Sequence, residues 1–483
     1  MPEHPSFYRP RRPEESPVHK ILVDHFDEFE RVYPERYQER YGFWRPVVAD
    51  AVADFLKCGD LREGFARVHC EDCGKDIFVA FSCKRRCVCA SCTQKRSLLT
   101  ALHVSGEVAA PVPHRQFVFT IPKRFRLYFR FNRDLLRELP PLAWRVILSV
   151  HRAVLGRDDV APGAAVAIQS HGELLNFHPH LHSLATDGAF DPDGTFIPMP
   201  ETSAEPYLKL WEKAVFDLLL AEGRINQEVI DQMRAWRHSG FSVDKSVRLE
   251  AGDAAAIERL TQYIVRCPFS LDRILKVTDE GKVIYKAEKP DCRPFPKLGD
   301  ARLAYGASRN FEIFDVLDFI AELTQHIPDK GTQLIRYYGW YSNRSRGDRA
   351  KEAAPSAAPP SPEVVINEED TPHRRKAKAR WAALIRRVFE VDPLLCPKCG
   401  GQMKIISFIE KRDQADVIKR ILRHCGLWKD PPARAPPSVA ALRRHVQPEL
   451  ELFDPPDFDV MQAAPPDEVY IQADPGDDFP QAL

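Results

Sequence analysis

The chain has 483 residues, more than one ordinary hydrophobic core accommodates, so we expect two or three domains joined by linkers. Hydrophobic residues make up 44% of it and aromatic residues 10%, as in soluble globular proteins, and no apolar run approaches the ~20 residues that cross a bilayer. The formal net charge is zero, which excludes a chain that is basic or acidic throughout.

The charge is nevertheless uneven along the sequence. From Lys84 to Asp134 there are eleven Lys and Arg residues against two acidic ones, whereas ten Asp and Glu and no Lys or Arg follow Arg444. A basic block of this kind suits a polyanion such as nucleic acid, although a solvated charged face has the same composition. The acidic tail suits solubility or an imitation of the charge of DNA.

The N-terminus lacks the charged-then-apolar pattern of a signal peptide, which predicts a cytosolic protein. Apolar residues from Val18 to Cys58 recur with a helical period and predict two amphipathic helices. Seven of the twelve cysteines follow between Cys58 and Cys92, and in a cytosolic chain such a cluster indicates metal binding rather than disulfides.

Two Cys-x2-Cys pairs in this cluster are separated by fifteen residues, the spacing of a zinc ribbon. The predicted ligands of one structural Zn²⁺ are Cys70, Cys73, Cys89 and Cys92. Cys83 and Cys87 are further thiols, and the spacing leaves open a swap of one into the site or a redox role. Basic residues lie within and just after the ribbon, where they would face phosphates together. The predicted DNA-binding residues here are Lys84, Arg85, Arg86 and Arg96.

Alternating apolar residues predict a strand over 116–122, and a helical period predicts one or two helices over 135–155, broken at Pro140 and Pro141. A strand over 164–169 precedes the next strand by a short loop, as in an antiparallel pair. Further predicted elements are helices over 207–220 and 254–266, with a hairpin near 241–249 between them.

Three histidines alternate with other residues between Asn176 and Leu184, at positions 178, 180 and 182, so on a strand their imidazoles share one face. Neutral imidazole is a common ligand of divalent metals, and a strand holds two such rings at a fixed separation. A face of hydrogen-bonded structural histidines is the alternative. A catalytic ion needs a third ligand, for which His178 and Gln169 are the local candidates.

The helix over 254–266 has Asp253 as its predicted N-cap, and Tyr263 falls on the margin of its apolar stripe. The predicted buried residues are Ile257, Leu260 and Ile264. Arg259 and Arg266 lie four residues before and three after Tyr263, near enough to bind a phosphate beside the phenol. A packing role for this tyrosine is the alternative.

An Ala- and Pro-rich stretch over 347–373 predicts a linker. A short basic helix then leads to Cys396 and Cys399, which either bind a second zinc with His424 and Cys425 or form a plain turn. Beyond these residues proline and acid dominate, which predicts disorder.

Several of these motifs, in this order, resemble the bacterial rolling-circle transposases of the insertion-sequence ninety-one group. The similar segments are 81–86 and 89–92 of the ribbon, 169–182, 260–268, 336–339 and 396–401. The resemblance covers roughly residues 20 to 428, and the order of several separate motifs makes it specific.

The resemblance implies an α+β fold: an antiparallel-sheet nuclease core of the HUH (histidine-hydrophobic-histidine) kind, with packed helices, shared with replication initiators and plasmid relaxases. A helical and zinc-ribbon module would precede this core, and a small Cys-x2-Cys segment and a disordered tail would follow it. The implied divisions are 15–100 for the zinc-binding module, 110–346 for the nuclease core, 347–373 for the linker, 374–428 for the Cys-x2-Cys segment and 429–483 for the tail.

The resemblance further implies that His180 and His182 hold a Mg²⁺ or Mn²⁺ ion and that Tyr263 attacks the scissile phosphate of single-stranded DNA. Some relatives carry two tyrosines four positions apart on this helix, whereas Arg259 stands at the earlier position here, so a single-tyrosine mechanism is implied. Tyr337 and Tyr341 also stand four apart and are rival nucleophiles, or else parts of a buried or DNA-stacking aromatic strand.

Three functions are consistent with these motifs. The leading one is a transposase acting on single-stranded element ends, and the first alternative is a plasmid relaxase or replication initiator with the same chemistry. The sequence has no Gly-x4-Gly-Lys-Ser/Thr loop, so a partner such as a host helicase is expected to unwind the DNA. The second alternative is a zinc-ribbon regulator that binds DNA without cutting it.

Overall fold

The computed structural model describes residues 12–288, 310–352 and 394–430. The helices are α1 (Pro17–Arg36), α2 (Gln38–Tyr41), α3 (Pro46–Leu56), α4 (Ala90–His103), α5 (Arg126–Phe131), α6 (Asp134–Leu155), α7 (Glu205–Ala221), α8 (Gln227–Ala235), α9 (Ala254–Ile264), α10 (Val316–Thr324), α11 (Asn343–Glu352) and α12 (Lys411–His424). The strands are β1 (Gly64–Cys70), β2 (Asp76–Ala80), β3 (His114–Thr120), β4 (Gly163–His171), β5 (Phe177–Thr186), β6 (Gly188–Phe190), β7 (Phe196–Pro198), β8 (Ser242–Asp244), β9 (Arg248–Leu249), β10 (Ile274–Val277), β11 (Lys282–Lys286), β12 (Phe311–Asp315), β13 (Ile335–Gly339) and β14 (Met403–Glu410). No described helix combines the length and apolar composition of a bilayer span.

The central sheet has the strand order β13-β4-β5-β3-β8, with β9 also paired to β3, and all of its pairs are antiparallel. One face packs against α6 and α7 in a core that includes Phe119, Ile147, Leu181 and Trp211. On the other face, α9 packs in one apolar cluster with Ala167 of β4 and Leu184 of β5. The mixed α+β architecture with antiparallel sheets and an N-terminal cysteine cluster is therefore confirmed.

The predicted strands and the antiparallel pair of β4 and β5 are confirmed, but the hairpin near 241–249 is wrong. β8 and β9 do not pair with each other, because each is hydrogen-bonded to β3 instead. Such short segments bury little on their own, and the open edge of a longer strand offers them backbone partners.

Helix α6 continues through Pro140 and Pro141 without a break. Pro141 has no N–H for the carbonyl of Arg137, four residues before it, and Nη1 of Arg336 donates to that carbonyl at 3.0 Å instead. A side chain from β13 thus satisfies a helix carbonyl that the proline leaves without its usual donor.

The N-terminal helices share a core with residues from the middle of the chain. Phe29 of α1 and Val52 of α3 belong to the same apolar cluster as Phe319 and Ile320 of α10 and as Tyr285 of β11. Hydrogen bonds and an ion pair also join the N-terminal helices to α10. The Tyr41 hydroxyl donates to Glu322 at 2.8 Å, Arg40 pairs with Glu322 at 3.1 Å, and Tyr37 donates to Asp318 at 2.8 Å.

A second sheet has the order β14-β1-β2. β1 pairs with β14 from Gly64 opposite Glu410 to Cys70 opposite Met403, so residues 403–410 form an edge of the N-terminal module. Cys396 and Cys399 precede this strand. The basic helix after the linker and the acidic tail lie outside the described residues, as does most of the linker.

Candidate functional site

The three histidines of β5 point to the face of the sheet that α9 covers. The ring centroids are 5.0 Å apart for His178 and His180 and 4.9 Å apart for His180 and His182. Burial lowers the pKa of His180 to about 4 and holds the pKa of His178 and His182 well below the usual range, so all three imidazoles are neutral near pH 7. Neutral imidazoles keep the lone pair that a metal needs.

Hydrogen bonds orient two of these rings. Nδ1 of His180 lies 2.8 Å from the carbonyl oxygen of His178, so it carries a proton and leaves Nε2 as the acceptor. Nδ1 of His182 lies 2.9 Å from the side-chain nitrogen of Gln116 on β3. Nε2 of His178 and Nε2 of His182 are buried and have no hydrogen-bond partner among the described residues.

Tyr263 stands opposite the histidine strand, near the end of α9. Asp253 caps this helix as predicted, accepting from the Ala256 backbone at 2.8 Å, and the predicted stripe of Ile257, Leu260 and Ile264 is buried. The half-buried Tyr263 ring lies 5.5 Å from the His182 ring at 88°, and the Arg266 guanidinium lies 4.4 Å from its centroid.

Gln169 of β4 holds the end of α9 against the sheet. Its side-chain nitrogen donates to the carbonyls of Tyr263 at 3.1 Å and Ile264 at 2.7 Å. Through this nitrogen, Gln169 fixes the backbone that carries Tyr263. Within the described residues, no set of three ligand atoms that includes a histidine lies within 4.8 Å of one another, so the strand offers no ready three-ligand cage.

The rival tyrosines have different surroundings. Tyr341 is fully buried, accepts from the Ala110 backbone at 3.0 Å and contacts Nε2 of His114 at 2.6 Å. Tyr337 lies on the histidine face of the sheet, half-buried against His103 at 6.0 Å. Burial raises the pKa of both phenols, and with its hydroxyl held inside the core Tyr341 is poorly placed to attack a substrate.

A cleft of about 710 Å³ adjoins this site between α4, the end of α9, and strands β4 and β13. Four arginines line it, and none of its described lining residues is acidic; these arginines are Arg86, Arg96, Arg266 and Arg336. Burial, and to a smaller degree Arg96, lowers the pKa of Arg86. Arg266 pairs with Glu288, which lies outside the lining, at 3.3 Å. The cleft is suited to a polyanion.

Three of the six predicted DNA-binding residues line the cleft, and three do not. Arg86, Arg96 and Arg266 meet at the cleft. Lys84 and Arg259 are exposed elsewhere, and Arg85 is paired with Asp54 at 2.6 Å.

The cysteines form two sites, so the prediction that Cys70, Cys73, Cys89 and Cys92 share one zinc is wrong. β2 separates the two pairs: its five residues span roughly 16 Å at about 3.3 Å each, too far for one ion to bridge. The first set is Cys58, Cys83, Cys89 and Cys92, and the second is Cys70, Cys73, Cys396 and Cys399.

In the first set the sulfurs are 3.5 to 3.8 Å apart, from Cys83 to Cys92 and from Cys58 to Cys89. Backbone N–H groups of Cys83 and Arg85 point to the sulfurs of Cys58 and Cys83, each at 3.5 Å, as thiolates favour. These distances exceed a disulfide bond and fit a tetrahedral Zn²⁺. Cys87 remains outside both sets.

The predicted second knuckle with His424 and Cys425 is also wrong, because Cys396 and Cys399 meet Cys70 and Cys73 instead. Sequence reasoning also missed Gln116, Arg336 and the role of Cys58. Cys58 lies twenty-five residues before Cys83, without a pair motif of its own. Gln116 shares a face with His182 only once the register of β3 and β5 is known.

Comparison with known proteins finds two matching family models. One described as a putative transposase matches residues 163–349, and one described as a transposase zinc-binding domain matches residues 28–121. The first range contains β5, α9 and β13, and the second contains the first cysteine set.

Two curated proteins are similar over most of their length. The transposase for insertion sequence element IS801 of Pseudomonas savastanoi pv. phaseolicola is 25% identical over 382 residues, which cover 75% of this chain and 84% of that protein. The putative transposase y4qJ of Sinorhizobium fredii is 24% identical over 364 residues, 71% of this chain and 84% of that protein. No solved structure is a significant match.

Proposed function

This chain is a DNA transposase of the insertion-sequence ninety-one group, and we propose that it nicks and transfers single-stranded DNA through Tyr263 within an HUH nuclease core over residues 110–346. The observation that carries the proposal is the Tyr263 ring, 5.5 Å from His182 and beneath Arg266, at the edge of an arginine-lined cleft. A nucleophile, candidate metal ligands and phosphate-binding cations therefore meet on one face of the sheet.

We assign His180 and His182 as ligands of a catalytic Mg²⁺ or Mn²⁺. The fit rests on neutral, buried rings: Nε2 of His180 is an acceptor, and Nε2 of His182 has no partner among the described residues. The Gln116 nitrogen faces Nδ1 of His182; exchanging the nitrogen and oxygen of that amide lets its oxygen accept from Nδ1–H, which leaves Nε2 of His182 as an acceptor too. Such an ion would supply charge stabilisation at a phosphate oxygen. The local candidates for a third ligand are Nε2 of His178 and the side-chain oxygen of Gln169.

The Tyr263 hydroxyl oxygen would form the new bond to phosphorus, and the bond from phosphorus to the 3′ oxygen would break. The phenol proton passes to solvent, and the leaving 3′ oxygen takes a proton from solvent and becomes a free hydroxyl. Arg266, 4.4 Å from the ring, stabilises negative charge that develops on the phenol and the phosphate. The 5′-phosphotyrosyl bond conserves the energy of the phosphodiester, so a later 3′-hydroxyl can rejoin the strand without ATP.

The arginine-lined cleft is proposed as the path of the single strand. Arg86, Arg96 and Arg336 lie along it beyond Arg266, and a groove without acidic side chains attracts the phosphate backbone whatever its sequence. Element ends would enter as single strands opened by a host helicase. The first cysteine set would hold a structural Zn²⁺ that fixes α4, the helix that carries Arg96.

A covalent-trapping assay tests this function. Protein with Mn²⁺ and labelled single strands from both flanks of its gene should give an adduct that survives a denaturing gel. The adduct should disappear in Tyr263→Phe and persist in Tyr337→Phe. An adduct that persists in Tyr263→Phe would move the nucleophile elsewhere, and intact DNA binding without any adduct would favour a regulator that does not cut.

A further inference from the structure

We propose that Cys70, Cys73, Cys396 and Cys399 bind a second structural zinc ion, which fastens residues 394–410 to the N-terminal module. The site lies outside the nuclease face, and its ligands come from the two ends of the described chain. Cys396 and Cys399 also lie outside both segments that match transposase family models. The inference is independent of the proposed nicking chemistry.

The sulfur positions fit a tetrahedral ion. The Sγ atoms of Cys70 and Cys399 are 3.6 Å apart, and those of Cys73 and Cys396 are 3.5 Å apart. Zinc–sulfur bonds of about 2.3 Å place tetrahedral sulfurs about 3.8 Å apart, whereas a disulfide would bring two of them to about 2.0 Å. All four sulfurs lie within 4.8 Å of one another.

The two pairs have matching backbone turns. Gly74 donates to the carbonyl of Cys70 and Gly400 to that of Cys396, each at 2.9 Å. Both glycines have positive φ, +69° and +74°, which side chains rarely adopt. Two knuckles of one geometry, facing each other, are the arrangement from which four-cysteine zinc sites are built.

The two knuckles approach each other closely at Gly401. A Cβ on Gly401 would lie 2.0 Å from a carboxylate oxygen of Asp72 in the facing knuckle, so a larger residue there would have to displace that exposed side chain. Gly400 supplies the turn, and Gly401 lies at the contact between the two knuckles. The cysteines flank a small core that contains Val68, Leu394 and Met403.

The large separation of the two cysteine pairs along the chain indicates a structural role for the zinc ion. Cys73 and Cys396 are 323 residues apart, and the pairing of β1 with β14 closes this long loop at a cost in chain entropy. The second sheet has only three strands and a small core, a size at which domains often depend on a metal. The ion would hold this edge strand in register.

Metal analysis of the full chain tests the site. After purification with zinc and removal of loosely held metal, elemental analysis should find two zinc ions per wild-type chain. Cys396→Ser with Cys399→Ser should reduce the content to one. The control Cys425→Ser replaces an exposed cysteine outside both sets and should leave two.

A milder variant guards against misfolding. Cys399→Ser removes the one exposed ligand of the site, so the fold should survive, as circular dichroism would verify, while one zinc is lost. In the cobalt-substituted protein, the same variant should halve the thiolate-to-metal absorption. One zinc in the wild type, or two retained in Cys399→Ser and in the double variant, would overturn the proposal.

Discussion

Tyr263 differs from Tyr341 in what its side chain meets. Tyr341 is enclosed, and its hydroxyl is engaged by His114 and the Ala110 backbone, whereas the ring of Tyr263 faces His182 and the guanidinium of Arg266. A phenol beside a cation and candidate metal ligands is better placed to attack a phosphate than one inside a core. Arg266 should therefore contribute to the reaction of Tyr263.

Replacing Arg266 with Gln should slow formation of the covalent adduct by roughly 10- to 100-fold, because a half-buried cation beside a developing charge contributes about 1–3 kcal/mol. Arg266 also pairs with the exposed Glu288 at 3.3 Å, and a phosphate would replace this partner. Single-turnover rates at saturating DNA would measure this. Arg259→Gln on the exposed side of the same helix is the control and should change the rate little. Equal losses in both variants would indicate a general electrostatic effect rather than a local one.

Gln116 should affect metal binding through its contact with His182. Gln116→Leu removes the partner of Nδ1, so the ring loses its fixed tautomer, and the Mn²⁺ concentration for half-maximal nicking should rise roughly 10- to 100-fold. Glutamate in Gln116→Glu can accept a hydrogen bond from the Nδ1–H group of His182, so this variant should retain tight Mn²⁺ binding. If both variants need the same Mn²⁺ as the wild type, His182 is not oriented by this contact.

His114 makes stability depend on pH. Burial lowers its pKa in the folded state to about 4, against about 6.5 when unfolded, so the unfolded state takes up a proton as the pH falls from 6.5 toward 4. That single residue should cost about 1 kcal/mol of stability per pH unit near pH 5.5. The stability difference between wild type and His114→Gln, from urea unfolding, should shift by that amount between pH 6 and pH 5. His238→Gln, at an exposed position, serves as the matched control.

At the scale of elements, α6 illustrates what sequence reasoning could and could not foresee. The apolar period of 135–155 identified the helix, but the two prolines implied a break. The missing information was tertiary: Arg336, almost two hundred residues away, donates to the carbonyl that Pro141 leaves without a donor. Likewise, the Cys-x2-Cys pairs identified metal ligands, but not that the partner of one pair lies 323 residues further on.

A double-mutant cycle should reveal the bond between Arg336 and α6. Arg336→Met leaves the Arg137 carbonyl without a donor and should lower stability by about 1–3 kcal/mol. Adding Pro141→Ala restores the helix N–H, so the double variant should recover most of the loss. Melting temperatures by calorimetry would measure this, and purely additive effects would argue against the bond.

Local patterns predicted both strands and helices. The stripe of α9 results from a single buried face, which a sequence displays directly, whereas residues 181–186 of β5 are buried on both faces of the sheet. The pairing of β8 and β9 with β3 and the closeness of Tyr263 to His182 depend on which surfaces meet. The family resemblance predicted that Tyr263 acts together with the histidine strand, and the structure gives the distance between the Tyr263 and His182 rings.

In the whole molecule, α1 and α3 share one core with β11, β12 and α10. Phe29 of α1 and Phe319 of α10 lie in the same cluster, and Arg45 reaches across to Asp329 at 3.0 Å. The first cysteine set lies at the edge of this cluster, to which Cys58, Cys89 and Cys92 belong. Arg96 of α4 is thereby held at a fixed distance from Tyr263, as the proposed DNA path requires.

A fragment that begins at residue 110 should therefore not fold without the N-terminal helices. A fragment of residues 110–352 would expose the face of α10 that α1 covers, including Phe319 and Ile320, and we expect it to aggregate. A fragment of residues 12–352 keeps that core but lacks β14, Cys396 and Cys399, so it should bind a single zinc. A well-folded fragment 110–352 would mean that the shared core contributes little, and two zinc ions in fragment 12–352 would contradict the second site. Because one fragment tests the core and the other the metal, the two contributions to the architecture can be distinguished.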